Sequence, residues 1–224
     1  MRNVTIYPTG GLCNYLRVVF SYHEYTKSIS STLTVIWIKT AACPGYFLDY
    51  FEPIQTIHFI TNIHTTNKIA YKGCSRAPPP HNKPNYAELK IKPYLQNIIQ
   101  QKVNVLNSNY ISVHIRRTDH ITSAKKNNRY TNDEAFSDFI DKADMHKDIY
   151  IATDNKATYD VFKKKYTDRI KFEYHQTNKN CLRETSLQDA IIDIYMCVYS
   201  DAFMGSGWSS FSGFIHQLRL NHKE

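Results

Sequence analysis

Short runs of β-branched and aromatic residues alternate along the chain with longer stretches in which apolar residues recur every three or four positions. Residues 4–7, 33–38 and 54–60 have the first pattern and read as strands, whereas residues 15–28 place Leu16, Val19, Phe20 and His23 on one helical face. Residues 47–51 read as a short aromatic turn of helix. Strands separated by helical pieces imply βαβ units and a mostly parallel sheet. The proline-rich segment 77–84 suits neither helix nor central strand, because proline fixes φ and lacks an N–H, so it is expected as an exposed boundary.

The alternation then starts again. Residues 93–106 fit a helix with Pro93 in its first turn and Leu95, Ile98, Ile99, Val103 and Leu106 on one face. It feeds a strand from Tyr110, followed by a helix over 132–143, a strand over 147–152, a basic-faced helix over 157–166 and a strand over 170–174. Beyond a polar loop at 177–183, residues 186–200 make a strong helix with Leu187, Ala190, Ile191, Ile194 and Val198 as its stripe and Ser186 with Asp189 as a capping pair. A last strand at 201–205, a serine-rich turn and a closing helix over about 214–220 complete an α/β chain of two halves, taken as residues 1–92 and 93–224.

Composition narrows the picture little. At 42% hydrophobic and 21% charged the chain is an ordinary folded protein, and Lys+Arg of 28 against Asp+Glu of 20 favours anionic or phosphorylated partners. Cys13, Cys43, Cys74, Cys181 and Cys197 are scattered without metal spacing or a disulfide framework, and neither is expected. With no leader-like start and no apolar run near 20 residues, a soluble cytoplasmic protein without a transmembrane segment is expected.

The chemistry concentrates where strands end. Tyr110-Ile111-Ser112-Val113-His114-Ile115 runs into Arg116-Arg117-Thr118-Asp119, placing two guanidiniums at a carboxyl edge where α/β sheets bind ligands. That suits an anionic ligand, most simply phosphate; the alternative is an ion pair that closes the strand. Thr153-Asp154-Asn155 ends the next strand, Gly10-Gly11 follows the first, and Ser206 to Gly213 follows the last. Glycine and serine turns before helices can aim N–H and O–H donors at a diphosphate, and they also serve as plain connections and caps.

Taken in order, His114-Ile115-Arg116-Arg117-Thr118-Asp119, Ile151-Ala152-Thr153-Asp154-Asn155, and Asp193-Ile194 with Ser200 to Phe203 and Ser209-Ser210 resemble the three motifs of GDP-fucose-dependent fucosyltransferases. The wording is similar to that of the core alpha-1,6 and nodulation enzymes and related O-fucosyltransferases. Gly10-Gly11-Leu12-Cys13-Asn14-Tyr15-Leu16-Arg17 resembles the G-G-L-G-N-x-L turn of many relatives, with Cys13 in place of a glycine.

The resemblance implies a GT-B fold, two Rossmann-like domains facing a cleft, with 1–92 on the acceptor side and 93–224 holding the nucleotide sugar. It implies inverting transfer of fucose from GDP-fucose to a glycan or glycoconjugate hydroxyl, with no metal or other cofactor. Arg117 is then expected to grip the β-phosphate and steady the departing GDP, with Arg116 beside it. His114 and Asp193 are expected near guanine or ribose, Ser209 and Ser210 at the diphosphate, Asp154 at an acidic position of the second motif, and Gly11, Asn14 and Arg17 on the donor from the first half. The core enzymes carry a glutamate where this chain has Ala124, which leaves Asp119 and His120 as the nearest candidates for the base, with His23 and Glu24 more distant. Rival readings are another GDP- or UDP-sugar donor, a non-catalytic carbohydrate-binding relative, and a basic nucleic-acid-binding module. The last is disfavoured because the basic pair is followed at once by an acid.

Overall fold

The computed structural model describes residues 3–63, 68–81, 83–106, 109–118, 121–175 and 185–221. Its backbone packs into two compact units, Met1–Pro93 and Tyr94–Glu224.

The first unit is built on a parallel sheet of β1 (Asn3–Pro8), β2 (Thr32–Ile36), β3 (Ile57–Ile60) and β4 (Ile69–Gly73) in the order β3-β2-β1-β4. Helix α1 (Leu12–Ser28) buries Tyr15, Leu16, Val19 and Phe20 and packs on β1 and β2. Short α2 (Phe47–Tyr50) adds Phe47 to an aromatic group with Trp37 and Phe59, and the Trp37 indole N–H is satisfied by the Gly45 carbonyl at 2.9 Å.

Three expectations for this half change. The strand expected at 54–60 begins only at Ile57, whose N–H donates to the Ile54 carbonyl at 3.0 Å and so closes a turn first. Strand β4 is unanticipated; only Ile69 and Tyr71 are apolar members of its inward face, too few to stand out at a sheet edge. The proline segment 77–84 lies inside the first unit rather than at its limit, because the buried Ala77 N–H is held by Ser21 of α1 at 2.9 Å.

The second unit contains β5 (Tyr110–Ile115), β6 (Asp148–Thr153) and β7 (Ala202–Gly205), parallel and in the order β6-β5-β7. All six residues of β5 are buried, and its two faces differ. Ile111, Val113 and Ile115 enter an apolar core with Phe136 and Ile140 of α5 (Asp133–Lys142) and Phe162 of α6 (Lys156–Lys165), whose numbers follow α3 (Pro93–Val105) and α4 (Ile121–Lys126). Tyr110, Ser112 and His114 face α7 (Leu187–Tyr199) and α8 (Ser210–Asn221), and each makes a polar contact there. The Tyr110 hydroxyl donates to the Met196 carbonyl at 2.7 Å, Ser112 meets Ser200 at 2.6 Å, and His114 meets Ser212 at 2.7 Å. A buried polar group without such a partner would cost about 1–3 kcal/mol.

Residues 170–174 are not a strand. The Ile170 and Phe172 carbonyls, which a ladder would need, accept instead from Lys163 Nζ at 2.8 Å and Tyr159 Oη at 2.7 Å. The expected loop at 177–183 lies outside the described residues. Helix α7 starts at a capping box between Ser186 and Asp189, and α8 starts four residues earlier than the apolar pattern indicated, because Ser209 accepts from the Ser212 N–H at 3.3 Å. Among the described residues Cys13, Cys43, Cys74 and Cys197 form no disulfide, and no helix is long and apolar enough to cross a membrane.

The C-terminus of α7 depends on one side chain. Arg219 Nη1 reaches the carbonyls of Cys197, Val198 and Ser200 at 2.7–3.0 Å, and Nη2 that of Asp201 at 3.0 Å, supplying donors to carbonyls that a helix end leaves open. Arg219→Met, which keeps the stem, is expected to cost about 1–3 kcal/mol. The check is a lower urea midpoint with an unchanged denaturant slope.

Candidate active site

The carboxyl ends of β5, β6 and β7 meet around the Asp154 carboxylate. Asp154 lies just past β6, is 6% exposed, and accepts from the Arg117 backbone N–H at 2.9 Å, from Arg116 Nε at 3.0 Å and from the Thr118 hydroxyl. One buried carboxylate thus shapes the whole Arg-Arg-Thr turn that follows β5. The ion pair that is the alternative reading of this strand end is present, between Arg116 and Asp154.

Arg117 is turned the other way and fixed three times. Its Nη2 meets Asp133 at 2.5 Å and the Thr131 carbonyl at 3.0 Å, its Nη1 meets the Arg116 carbonyl at 3.1 Å, and its guanidinium lies 5.1 Å from the Tyr130 ring centre. Both arginines line a small depression with Ala124, Tyr130, Ser206 and Gly207. Ala124 itself is buried in α4, so the position where core enzymes carry a glutamate belongs to this wall.

The serine turn is stitched to the same place. Ser206 Oγ accepts from the Arg116 N–H at 2.8 Å and lies 3.2 Å from the His114 carbonyl. The Gly207 N–H donates to Thr131 Oγ1 at 2.9 Å, and a Cβ on Gly207 would stand 2.1 Å from the Arg129 carbonyl oxygen, a distance only glycine permits. Thr131 therefore holds Arg117 by its carbonyl and the serine turn by its hydroxyl. Ser209, half-buried, caps α8, and exposed Ser210 is the first residue of that helix, whose N-terminus carries partial positive charge.

His114 is 4% exposed, stacks on Phe211 with centroids 4.4 Å apart, and is bonded to Ser212. Burial pushes its pKa down to about 3, against the nearby Asp154 carboxylate and with help from the Arg116 charge, so the ring is neutral. It packs the root of the serine turn. Asp193 is half-buried on α7, accepts from Tyr150 Oη at 2.6 Å, and lines a separate pocket with Lys102, Phe172 and His175 rather than the arginine depression. Burial pushes its carboxyl up to about 7, against the lowering effect of the Tyr150 hydroxyl.

Gly11, Asn14 and Arg17 belong to the first unit. Gly10 takes a φ of +93° at the turn, Gly11 caps α1, and Asn14 Oδ1 accepts from Arg17 Nη2 at 3.0 Å. The same Nη2 donates to the Cys74 carbonyl at 2.8 Å, so this motif fastens α1 to the exit of β4. Asp119 and His120 lie outside the described residues. His23 is buried against Thr56 at 2.7 Å and Glu24 pairs with Lys27 at 3.2 Å, so both serve the first unit's own packing. Sequence reasoning missed Thr131 and Asp133, which are bound to Arg117 only through tertiary contacts, and within the serine turn it singled out Ser209 and Ser210 rather than Ser206 and Ser212, which hold Arg116 and His114. Among the described residues no three His, Cys, Asp or Glu side chains gather as a metal site.

A family model described as GDP-fucose protein O-fucosyltransferase matches residues 13–222. No curated protein matches the chain. Among solved structures the fold is similar to NodZ alpha-1,6-fucosyltransferase co-crystallized with GDP, at 14% identity and a TM-score of 0.65, and to the same enzyme soaked with GDP-fucose, at 14% and 0.67. Fucosyltransferase NodZ from Bradyrhizobium gives 13% and 0.66; in each case the match covers 97% of this chain and 92% of the other. These similarities establish a GT-B architecture of two Rossmann-like units.

The Asp193 environment makes a testable pH signature. An ordinary Asp ionises near 3.8 and this one near 7, so between those values folding takes up a proton and stability falls as pH rises. Asp193→Asn is expected to raise Tm by a few degrees at pH 8 and to leave it unchanged at pH 3.5, in paired thermal melts. The opposite trend contributed by His114, which loses stability as pH falls below 6.5, is common to both proteins and cancels in the difference.

Proposed function

The chain belongs to the GDP-fucose protein O-fucosyltransferase family, and from that premise we propose that it transfers fucose from GDP-fucose, with inversion, to a hydroxyl of a glycan or glycoconjugate. In that reaction the bond from the anomeric carbon to the β-phosphate oxygen breaks and GDP departs. The acceptor oxygen bonds to the same carbon from the opposite face and gives up its proton. The demand on the protein is charge stabilisation at the departing diphosphate.

The observation that carries this reading is the pair of guanidiniums, Arg116 and Arg117, clamped by Asp154 and Asp133 at the carboxyl end of β5 beside the serine turn. Fixed positive charge in a partly desolvated place needs no reorganisation when the phosphate charge develops, and on this reading it does the work of a divalent cation. Arg117 contributes a charge whose position Asp133 and Thr131 define, and Arg116 stands beside it. Ser209, Ser210 and the first N–H groups of α8 are the matching donors for diphosphate oxygens. Asp154 acts as a positioning residue, since its oxygens are occupied by the arginine turn, and His114 positions Ser212 and Phe211 beneath the serine turn. The first unit is assigned the acceptor side, while Asp193, which lines a pocket apart from the arginine depression, is given no part in gripping the diphosphate. Asp119 and His120 are proposed for the proton.

A second reading, donor binding without turnover, has one observation in its favour: the depression is walled by Ala124 where core enzymes carry a carboxylate. GDP release from GDP-fucose separates the two. Wild type is expected to turn over equally with and without EDTA. Arg116→Ala and Arg117→Ala are expected to lose about 10²–10³ in rate, and Asp154→Asn less than either. GDP binding with no release from GDP-fucose or from other GDP- and UDP-sugars would sink the transfer reading, and full activity in Arg117→Ala would sink the role given to the pair.

A further inference from the structure

The first unit contains a groove that none of the donor chemistry uses. It lies at the exit of β4, at the carboxyl edge of the parallel sheet, as an open depression of about 630 Å³ between α1 and residues 74–79. Arg17, Arg76, Tyr22, Tyr71 and Pro79 are among its lining residues, and among the described residues no acidic side chain lines it.

The groove is held in shape. Arg17 Nη2 fastens the Cys74 carbonyl at 2.8 Å at one end of the wall, and Ser21 fastens the Ala77 N–H at 2.9 Å at the other. Tyr71 stacks on Tyr22 with centroids 5.1 Å apart and an angle of 23°, and its hydroxyl accepts from the Ser75 N–H at 2.6 Å. Tyr22 is 7% exposed, so Tyr71 is the ring that meets solvent, over a supporting ring. Arg76 is exposed on the same wall.

Charge is distributed unevenly in the same sense. Residues 1–93 contain ten Lys and Arg against four Asp and Glu, whereas residues 94–224 contain 18 against 16. The unit that carries the groove therefore holds most of the chain's positive surplus, without the acids that offset it in the second unit. An aromatic face beside a guanidinium accepts a sugar ring by its C–H face and an attached anion by its charge.

We propose that this groove is a subsite for an anionic saccharide, a sugar ring bearing a carboxylate, sulfate or phosphate, contributed by the acceptor. The inference rests on the fucosyltransferase reading and specifies its acceptor. Arg76 supplies the ionic contact and Tyr71 the stacking platform. Arg17, whose Nη2 is spent on Asn14 and Cys74, supports the wall and adds its field.

The test is binding of fluorescently labelled oligosaccharides to the full chain at low salt. A uronic-acid-containing disaccharide and its sulfated and phosphorylated counterparts are compared with the neutral disaccharide and with oligo(dT), and GDP affinity is measured in parallel. Anionic sugars are expected to bind at least about 10-fold tighter than the neutral one, the preference shrinking as salt is raised. Arg76→Ala should abolish the preference, Arg76→Lys should restore part of it, and Tyr71→Ala should weaken every sugar alike; none of these should change GDP affinity. Equal binding of neutral and anionic sugars, a preference that survives Arg76→Ala, or tighter binding of oligo(dT) than of any sugar would each overturn the proposal. Loss of GDP affinity in wild type would instead overturn the donor reading, and it is scored separately.

Discussion

The buried carboxylate of Asp154 is the interaction on which the second unit's carboxyl edge depends. It neutralises Arg116 at 3.0 Å, accepts the Arg117 backbone N–H and receives the Thr118 hydroxyl, so three consecutive residues take their conformation from one acid just past the neighbouring strand. A pair this buried adds little net stability, because desolvation offsets most of the attraction, yet removing one partner would leave an uncompensated charge at a cost of about 3–5 kcal/mol. Its value is placement. A guanidinium without that anchor would be free to rotate toward solvent, and fixed geometry is what electrostatic stabilisation of a leaving group requires.

The same logic continues through Thr131. Its carbonyl receives Arg117 and its hydroxyl receives the Gly207 N–H, so the loop between α4 and α5 couples the arginine turn to the serine turn. The close approach of Gly207 to the Arg129 carbonyl explains why a glycine must follow Ser206. His114, neutral and stacked on Phe211, completes the arrangement from below; burial disfavours its charged form more than the nearby Asp154 carboxylate, itself bonded to Arg116, favours it.

Much of this was legible in the linear pattern, and what was not has a physical reason. Strand β5 announced itself because both its faces are buried, and α7 because its apolar stripe and capping pair agree. Strand β4 hid at an edge, with only two apolar residues on its inner face. Residues 170–174 have strand composition but are diverted by side-chain donors from α6, a competition that periodicity cannot register. Within the site, Arg116, Arg117, Asp154 and the serine turn could be picked out because charged and hydroxyl residues at strand ends are conspicuous. Thr131, in a loop, and Asp133, the first residue of α5, look ordinary until folding brings them to Arg117, 14 and 16 positions away.

The two units also divide the electrostatic burden differently. In the second, cations are answered locally: Lys147 by Asp201, Lys165 by Asp141, Lys156 by Asp160, Lys163 by Glu173 and Lys171 by Asp148. Each exposed pair is worth little in stability, but together they hold the net field of that unit near neutral and leave its positive charge concentrated locally, as at the Arg116–Arg117 turn. The first unit has too few acids to do the same, and its field is broad. A narrow positive focus suits a small ligand whose phosphates must be gripped at defined atoms, and a broad one suits a larger partner that is first captured and then oriented. The asymmetry follows from where the acids were placed along the chain, independently of any fold similarity.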